Sequence, residues 1–182
     1  MNTIEKLLKE VSIARNNYIK TIGACTTEQA EWKPSSVSWN IVEITEHLYW
    51  AEHGGIWGMW KTIDAIHENK IPRTTESIHQ NMTIEELIAK TWASKEQVPS
   101  IAAPRMGGSL TFWISSLQNL QNVLNSFAQN LSENELRIQA QPHPISGAMD
   151  FQQRFEFIRF HLDRHRNQAI EILNSFELSI KK

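Results

Sequence analysis

Apolar residues recur at intervals of three and four along most of this chain, and this spacing constrains the fold more than any other feature. In the first segment the repeat marks one face of an α-helix, because residues three and four apart share a face. Its apolar positions are Ile4, Leu7, Leu8, Val11, Ala14, Tyr18 and Ile22. The same period predicts helices over residues 2–22, 36–62, 83–97, 109–130 and 148–178. No alternating strand pattern competes with it, so the sequence predicts an all-α fold.

Capping patterns, prolines and glycines divide the chain between these helices. The capping pairs are Asn2 with Glu5, Thr26 with Gln29, Thr83 with Glu86 and Ser132 with Glu135. Ser36 or Ser38 is expected to cap the second long helix. The four long helices leave a link of about 45 residues between the second and third, which predicts a four-helix bundle with one long crossover. We expect residues 1–182 to form one domain.

Charge and cysteine content exclude several classes of function. The chain has 18 Lys and Arg against 20 Asp and Glu, a formal net charge of −2, whereas a phosphate-backbone binder normally carries a basic surplus. Cys25 is the single cysteine, which rules out an intrachain disulfide framework. No apolar run approaches the roughly 20 residues of a membrane span. We therefore expect a cytoplasmic protein that binds neither nucleic acid nor membrane.

Two histidines in the last predicted helix suggest a metal site. His161 and His165 are four residues apart, so they lie one turn apart on the same helix face. The same face carries Ile158 and Ile172, which turns it towards the core. A pair of this kind also occurs as ordinary surface or core histidines, so it needs further support.

A third histidine, in the second long helix, supplies that support. His47 lies beside Ile44 and Leu48, two positions of the inward stripe, and helix bundles build metal sites from facing helices. Three imidazoles suit Zn²⁺, Ni²⁺, Fe²⁺ or Mn²⁺, and three protein ligands leave coordination positions for water or substrate. The alternative is a core histidine hydrogen-bonded to a carboxylate.

The helix after His47 is unusually rich in glycine and tryptophan. Glycine costs roughly 1 kcal/mol in a helix interior, so three glycines here require a reason. The residues are Gly54, Gly55 and Gly58, with Trp50, Trp57 and Trp60 on an adjacent face. Close helix packing is one explanation, and a hollow beside the metal, walled by tryptophan, is the other.

Several other polar residues are weaker candidates. Glu43 and Gln168 could orient the ligands, or serve in capping or solvation. Arg154 could attract an anionic substrate, or lie at the surface. His143 could approach the mouth of a cleft, or remain a loop residue. The remaining histidines are expected at the surface or in the connection: His53, His67 and His79.

Known metal motifs do not match. A zincin requires His-Glu-x-x-His, with the glutamate as general base, and Leu162 occupies that position. A carboxylate di-iron bundle requires two Glu-x-x-His repeats, and only Glu76 to His79 fits. Catalytic and cofactor-binding residues beyond the metal ligands are therefore not predicted.

With these residues identified, the sequence resembles the DinB-like (DinB/YfiT) superfamily of four-helix metal-dependent enzymes. The matching segments occur in order from about residue 26 to 172. They are Trp32-Lys33-Pro34, Ser38-Trp39-Asn40-Ile41-Val42-Glu43, Glu46-His47-Leu48, His143-Pro144-Ile145-Ser146-Gly147 and Phe160-His161-Leu162-Asp163-Arg164-His165-Arg166-Asn167-Gln168.

The resemblance implies a bundle with the long link after its second helix and a divalent metal bound by His47, His161 and His165. It also implies that the metal activates a low-molecular-weight thiol or water, for S-transfer or hydrolysis of a small-molecule substrate. One alternative is a non-catalytic metal or small-ligand binding protein, for instance in a stress response. Another is a structural bundle whose tryptophans form a dimer interface. A homodimer is compatible with the apolar helix surfaces, but no motif specifies it.

Overall fold

The structure is a computed structural model that describes residues 1–92 and 97–181. Its regular elements are helical, and the all-α prediction is confirmed. The α-helices are α1 (Thr3–Ile22), α2 (Thr27–Glu31), α3 (Ile41–His67), α4 (Ile84–Thr91), α5 (Leu110–Ala128) and α6 (Phe151–Ser179). Two short 3₁₀ helices lie at Ser100–Ala102 and Glu133–Glu135. Isolated β-bridges join Gln139 to Asp150 and His143 to Gly147.

Local capping sets most helix starts. The predicted boxes at Asn2, Thr26, Thr83 and Ser132 are all confirmed. At Asn2, Thr26 and Thr83 the first side chain accepts a hydrogen bond from the backbone N–H three residues on. In all four boxes the side chain of that later residue accepts from the backbone N–H of the first. These bonds satisfy backbone donors that a helix start would otherwise leave unpaired.

Helix α3 begins later than predicted, because Asn40 rather than Ser36 or Ser38 caps it. Asn40 forms a capping box with Glu43, and Glu43 also accepts from Lys33 at 2.7 Å. The helix runs on past Thr62 to His67, since the apolar stripe continues through buried Ile63 and Ile66.

Helices α4 and α6 also differ from the predicted ranges. Helix α4 ends at Thr91, because Trp92 has extended backbone angles and its indole donates to Ser146 Oγ. The predicted continuation to Gln97 passes through residues 93–96, which lie outside the described residues. Helix α6 starts at Phe151 rather than Ala148, because Asp150 forms the capping box.

The four long helices share one hydrophobic core. Helix α1 packs against α6 and α5, and α3 packs against α5 and α6. The core includes the fully buried side chains Tyr18, Ile41, Met59, Leu117, Phe127 and Phe155. The link between α3 and α5 carries α4, which packs on α6, and the first 3₁₀ helix, which packs on α3. A strict four-helix bundle with a crossover goes further than these contacts and stays a prediction.

The hydropathy and length of the helices bear on whether any of them could span a membrane. Within residues 1–92 and 97–181, none of the helices combines the length and the apolar character that crossing a bilayer requires.

Candidate metal centre

The structure brings the three predicted histidines together. His47 extends from α3, while His161 and His165 extend from successive turns of α6. One nitrogen of each ring lies within 4.8 Å of the other two. The Nε2 atom of His161 is 3.1 Å from that of His47 and 3.0 Å from that of His165. All three side chains are buried, with exposed fractions of 4, 7 and 7%.

Apolar packing holds the rings in this position. Leu48 and Leu162, which follow His47 and His161 in sequence, are both 1% exposed in the core. The ring of Phe157 stacks on His161, with centroids 5.3 Å apart. The Trp39 ring lies 5.0 Å from that of His47. The rings are therefore fixed by side chains that also belong to the core.

The outer nitrogens of two rings are hydrogen-bonded, which determines where their lone pairs point. His47 Nδ1 lies 2.8 Å from the carbonyl oxygen of Ala102. A carbonyl can only accept, so Nδ1 carries the proton and, in the neutral ring, Nε2 carries the lone pair. His165 Nδ1 bonds in the same way to Gln168 Oε1 at 2.8 Å. Two lone pairs therefore point at the Nε2 atom of His161.

Burial keeps these imidazoles neutral. Desolvation lowers the pKa of His47, against the raising effect of its bond to Ala102. It lowers the pKa of His165 to about 3, with the His47 charge as the next cause. The pKa of His161 falls well below its ordinary value, first through burial and then through His165 and His47. Neutral imidazole is the form that binds a metal.

The arrangement fits a divalent cation. A neutral His161 has at most one proton on Nε2, so it can donate to one neighbour and leaves the other lone pair unmatched. Two nitrogens bonded to one ion at about 2.1 Å lie about 3.4 Å apart at the tetrahedral angle and about 3.0 Å apart at the right angle of octahedral coordination. The observed separations of 3.0 and 3.1 Å match the right-angle spacing. The group could therefore hold a metal ion.

The three histidines open onto a cavity of about 260 Å³. Its wall is largely apolar and aromatic, and its described lining residues include Trp50, Trp92, Ile101, Pro142, Phe157 and Ile158. Of the predicted tryptophan wall, Trp50 takes part. Trp57 is 59% exposed, and Trp60 packs against the core.

The three glycines of α3 have different roles. Gly54 and Gly55 line the cavity, as the hollow interpretation expects. At Gly58, by contrast, a Cβ atom would approach Gln141 Cγ to 2.7 Å and its amide still more closely. Gly58 thus serves close packing, and the two explanations hold at different positions.

Glu46, directly before His47, fixes the connection that covers this end of α3. Its carboxylate accepts hydrogen bonds from the backbone N–H groups of Arg105, Met106 and Gly107 at 2.7–2.9 Å. Burial tends to raise the pKa of Glu46, but these bonds outweigh it and the pKa is lowered. The chain that carries Ala102 is therefore also anchored to α3 just after that contact, at residues 105–107. From the sequence, Glu46 stands out only as part of a matching segment and has no role of its own. Ala102 gives no signal at all, because any residue type can present a backbone acceptor.

The weaker candidates from the sequence have different positions and contacts in the structure. Glu43 is a helix cap, whereas Gln168 holds His165. His143 lines the cavity, and its Nδ1 accepts from the backbone of Ile145 and Ser146. Arg154 is not at the surface, because it is only 6% exposed. The remaining histidines have three environments: His53 is exposed, His67 pairs with Glu135, and His79 is buried beside Ser146.

Comparison with known families agrees with the resemblance seen in the sequence. The family model described as the DinB superfamily matches residues 10–169, a range that includes all three histidines. Among curated proteins, no sequence matches this chain significantly. The family match covers well over half of the 182 residues. The chain therefore belongs to the DinB superfamily.

Proposed function

We propose that this chain acts, as a single domain, as a metal-dependent enzyme. His47, His161 and His165 would hold one divalent ion, and its open coordination positions would face the cavity. The reaction would be either S-transfer, in which an activated thiol attacks a small-molecule substrate, or hydrolysis, in which activated water attacks it. The observation that carries this proposal is the convergence of three buried, neutral imidazole nitrogens at the wall of a cavity.

A divalent ion bound there would supply Lewis acidity, lowering the pKa of a thiol or water so that a nucleophile is available near neutral pH. The chain's own residues do the positioning. Ala102 and Gln168 fix the tautomer and orientation of His47 and His165, as hydrogen-bonded partners do at protein metal sites. The apolar wall limits access of bulk water and so strengthens electrostatic interactions inside the cavity.

Metal content tests the first part of the proposal. We expect untagged wild-type protein to bind one equivalent of Zn²⁺, Ni²⁺, Fe²⁺ or Mn²⁺, measured by elemental analysis after dialysis. His161→Ala should lose that equivalent, because it removes the nitrogen that lies nearest both other rings. His53→Ala is the matched control, since His53 also lies on α3 but is exposed. Equal metal content in His161→Ala and wild type would contradict the proposal.

Turnover tests the second part. Low-molecular-weight thiols paired with a chromogenic electrophile should react faster with metal-loaded wild type than with His161→Ala, while the far-ultraviolet circular dichroism of the two stays the same.

The alternative function is a metal or small-ligand binding protein without catalysis. One observation favours it: among the described lining residues, Glu52 is the single carboxylate, and Arg15 engages it. This pairing leaves only Glu52 Oε2, which is buried without a hydrogen-bond partner among the described residues, as a carboxylate oxygen for general-base chemistry. Full metal occupancy with no turnover for any thiol or ester substrate would support this alternative.

A further inference from the structure

Arg154 is a buried cation that no described residue neutralises. Its side chain is 6% exposed, and its Nη1 atom has no hydrogen-bond partner within the described part of the chain. Burial lowers its pKa to about 10, so the guanidinium remains charged near neutral pH. A buried charge without a partner is unfavourable. A buried, uncompensated cation therefore indicates a position where an anionic ligand would bind.

The position of Arg154 connects it to the metal centre. It lies on α6 seven residues before His161, about two helical turns away, and both residues line the same cavity. On the facing helix, a Cβ atom at Gly55 would be 3.2 Å from Arg154 Nη2. The absence of a side chain at Gly55 therefore leaves room for the guanidinium against α3.

The charge balance of the wall favours an anionic ligand. Glu52 is the single carboxylate of the described lining, and its charge is compensated by Arg15. Arg164 adds a second positive charge to the lining, with its guanidinium 5.4 Å from the Trp92 ring centroid. The described wall thus has no free negative charge to pair with Arg154.

A neighbouring amide is also unsatisfied. Gln141 Nε2 donates to the backbone oxygen of Gly55 at 3.0 Å, but Gln141 Oε1 is buried without a partner among the described residues. An acceptor and a cationic donor therefore line the cavity together. A ligand that bonds both has an anionic oxygen for Arg154 and a hydrogen-bond donor for Gln141.

We propose that Arg154 is the anion-binding residue of this cavity and that the substrate is a carboxylate-bearing small molecule with an apolar body. A guanidinium presents N–H groups in a planar fork that matches the two oxygens of a carboxylate. The apolar body would lie against Phe157 and Trp92, with the reacting end towards the three histidines. The position of that reacting end rests on the proposed function, whereas recognition of the carboxylate requires only the cavity.

Binding of phenylacetate, compared with neutral phenylacetamide, tests this proposal. The two probes have the same apolar body and differ in charge and in the amide N–H donors, which can bond Gln141 and therefore work against a preference for phenylacetate. Tryptophan fluorescence reports their binding through Trp50 and Trp92. We expect wild type to bind phenylacetate at least about 10-fold more tightly than the amide, the size expected of a hydrogen bond to a charged group. Arg154→Met should remove that preference, and Arg154→Lys should keep part of it. Arg159→Met is the control, since Arg159 lies on the same helix but pairs with Glu85.

The titrations are run on zinc-loaded and on chelator-treated protein, which separates the two proposals. A preference for phenylacetate that depends on Arg154 in both preparations supports the anion site. If metal binds at the histidines but Arg154→Met keeps the full preference, the anion site is wrong and the proposed function stands. If the preference depends on Arg154 but the histidines bind no metal, the proposed function is wrong and the anion site stands.

The melting temperature of Arg154→Met tests whether Arg154 has a purely structural role. Removing an uncompensated buried charge should leave the melting temperature unchanged or raise it. A large decrease would show that Arg154 has a partner within the fold and would overturn the proposal. Absence of saturable phenylacetate binding to wild type would overturn it as well.

Discussion

Two clusters of buried polar side chains meet at helix α3, and they differ in how their charges are balanced. In the Arg15 cluster, which consists of Arg15, Glu52 and Gln121, the guanidinium donates to both the carboxylate and the amide oxygen. In the cavity cluster, formed by the three histidines and Arg154, lone pairs face one another, and no residue in the described part of the chain pairs with the Arg154 cation.

This difference suggests that the Arg15 cluster serves the stability of the fold and that the cavity cluster serves ligand binding. Opposite charges within the Arg15 cluster compensate each other, although Arg15 Nε and Glu52 Oε2 have no hydrogen-bond partner among the described residues. In the cavity cluster the described residues supply neither a cation for the histidine lone pairs nor an anion for Arg154. Because a buried charge is unfavourable unless an opposite charge compensates it, the cluster without internal charge compensation is where ligands are expected.

The largest effect is expected from breaking the Arg15 cluster. Arg15→Met leaves Glu52 buried without its partner, which should lower the free energy of unfolding by about 3–5 kcal/mol. Urea denaturation measures this loss. Arg159→Met breaks the surface pair with Glu85 and should cost no more than about 1 kcal/mol. Equal losses in the two variants would show that the Arg15 cluster is not a buried, self-compensated pair.

A smaller effect is expected at the metal. Gln168→Leu removes the acceptor that orients His165, so the affinity for a divalent ion should fall about 10- to 100-fold. Competition titration against a chromogenic chelator measures the change. Gln168→Glu keeps an acceptor oxygen and should retain tight binding. A Leu variant with wild-type affinity would mean that the His165 ring is held by packing alone.

Alanine substitutions at Gly54 and Gly58 of α3 should have effects on the free energy of unfolding that differ by about 2 kcal/mol. Gly58→Ala forces Gln141 to move and breaks its bond to Gly55, at a cost of about 1–3 kcal/mol. Gly54 has open space around its Cα, so Gly54→Ala should raise the free energy of unfolding by up to about 1 kcal/mol. Thermal unfolding of both variants measures the difference. A stabilised Gly58→Ala would contradict the packing role of Gly58.

The smallest effect is a pH slope at His143. Burial lowers its pKa to about 3, with the Arg154 charge as the second cause, whereas an unfolded histidine titrates near about 6.5. Between those values the unfolded state binds the extra proton, so stability is full above about pH 6.5 and is lost as the pH falls. His143→Asn should reduce that slope by up to about 1.4 kcal/mol per pH unit. Urea titrations at several pH values measure it, and unchanged slopes would contradict it.

Helix positions were largely predictable, because the signals that set them are local. A capping box such as Asn2 with Glu5 spans four residues, and so does the Thr83 box of α4. The predicted start of α3 is too early because Ser36, Ser38 and Asn40 are all residue types that cap helices, and Asn40 prevails through its box with Glu43. Sequence periodicity alone cannot rank two caps that lie a few residues apart.

The candidate site was predictable in part. The two histidines of α6 could be paired from sequence, since a spacing of four on a helix fixes their common face. Gln168 was recognised as a candidate for the same reason. The carbonyl of Ala102 could not be recognised, because any residue type can present a backbone oxygen. The burial of Arg154 was not evident either, as its charge is typical of a surface position.

The sequence by itself determined the helices, most of their caps and the shared face of His161 and His165, because all of these depend on contacts within one or two helical turns. Only the tertiary structure decided that the His47 ring meets those of α6, that Ala102 fixes its tautomer, and that Arg154 lines the same cavity without a counter-ion among residues 1–92 and 97–181. Those relations join residues about 50 to 110 positions apart in the chain. They arise from the packing of α3 against α6 and against the connection between α3 and α5, which no local pattern encodes.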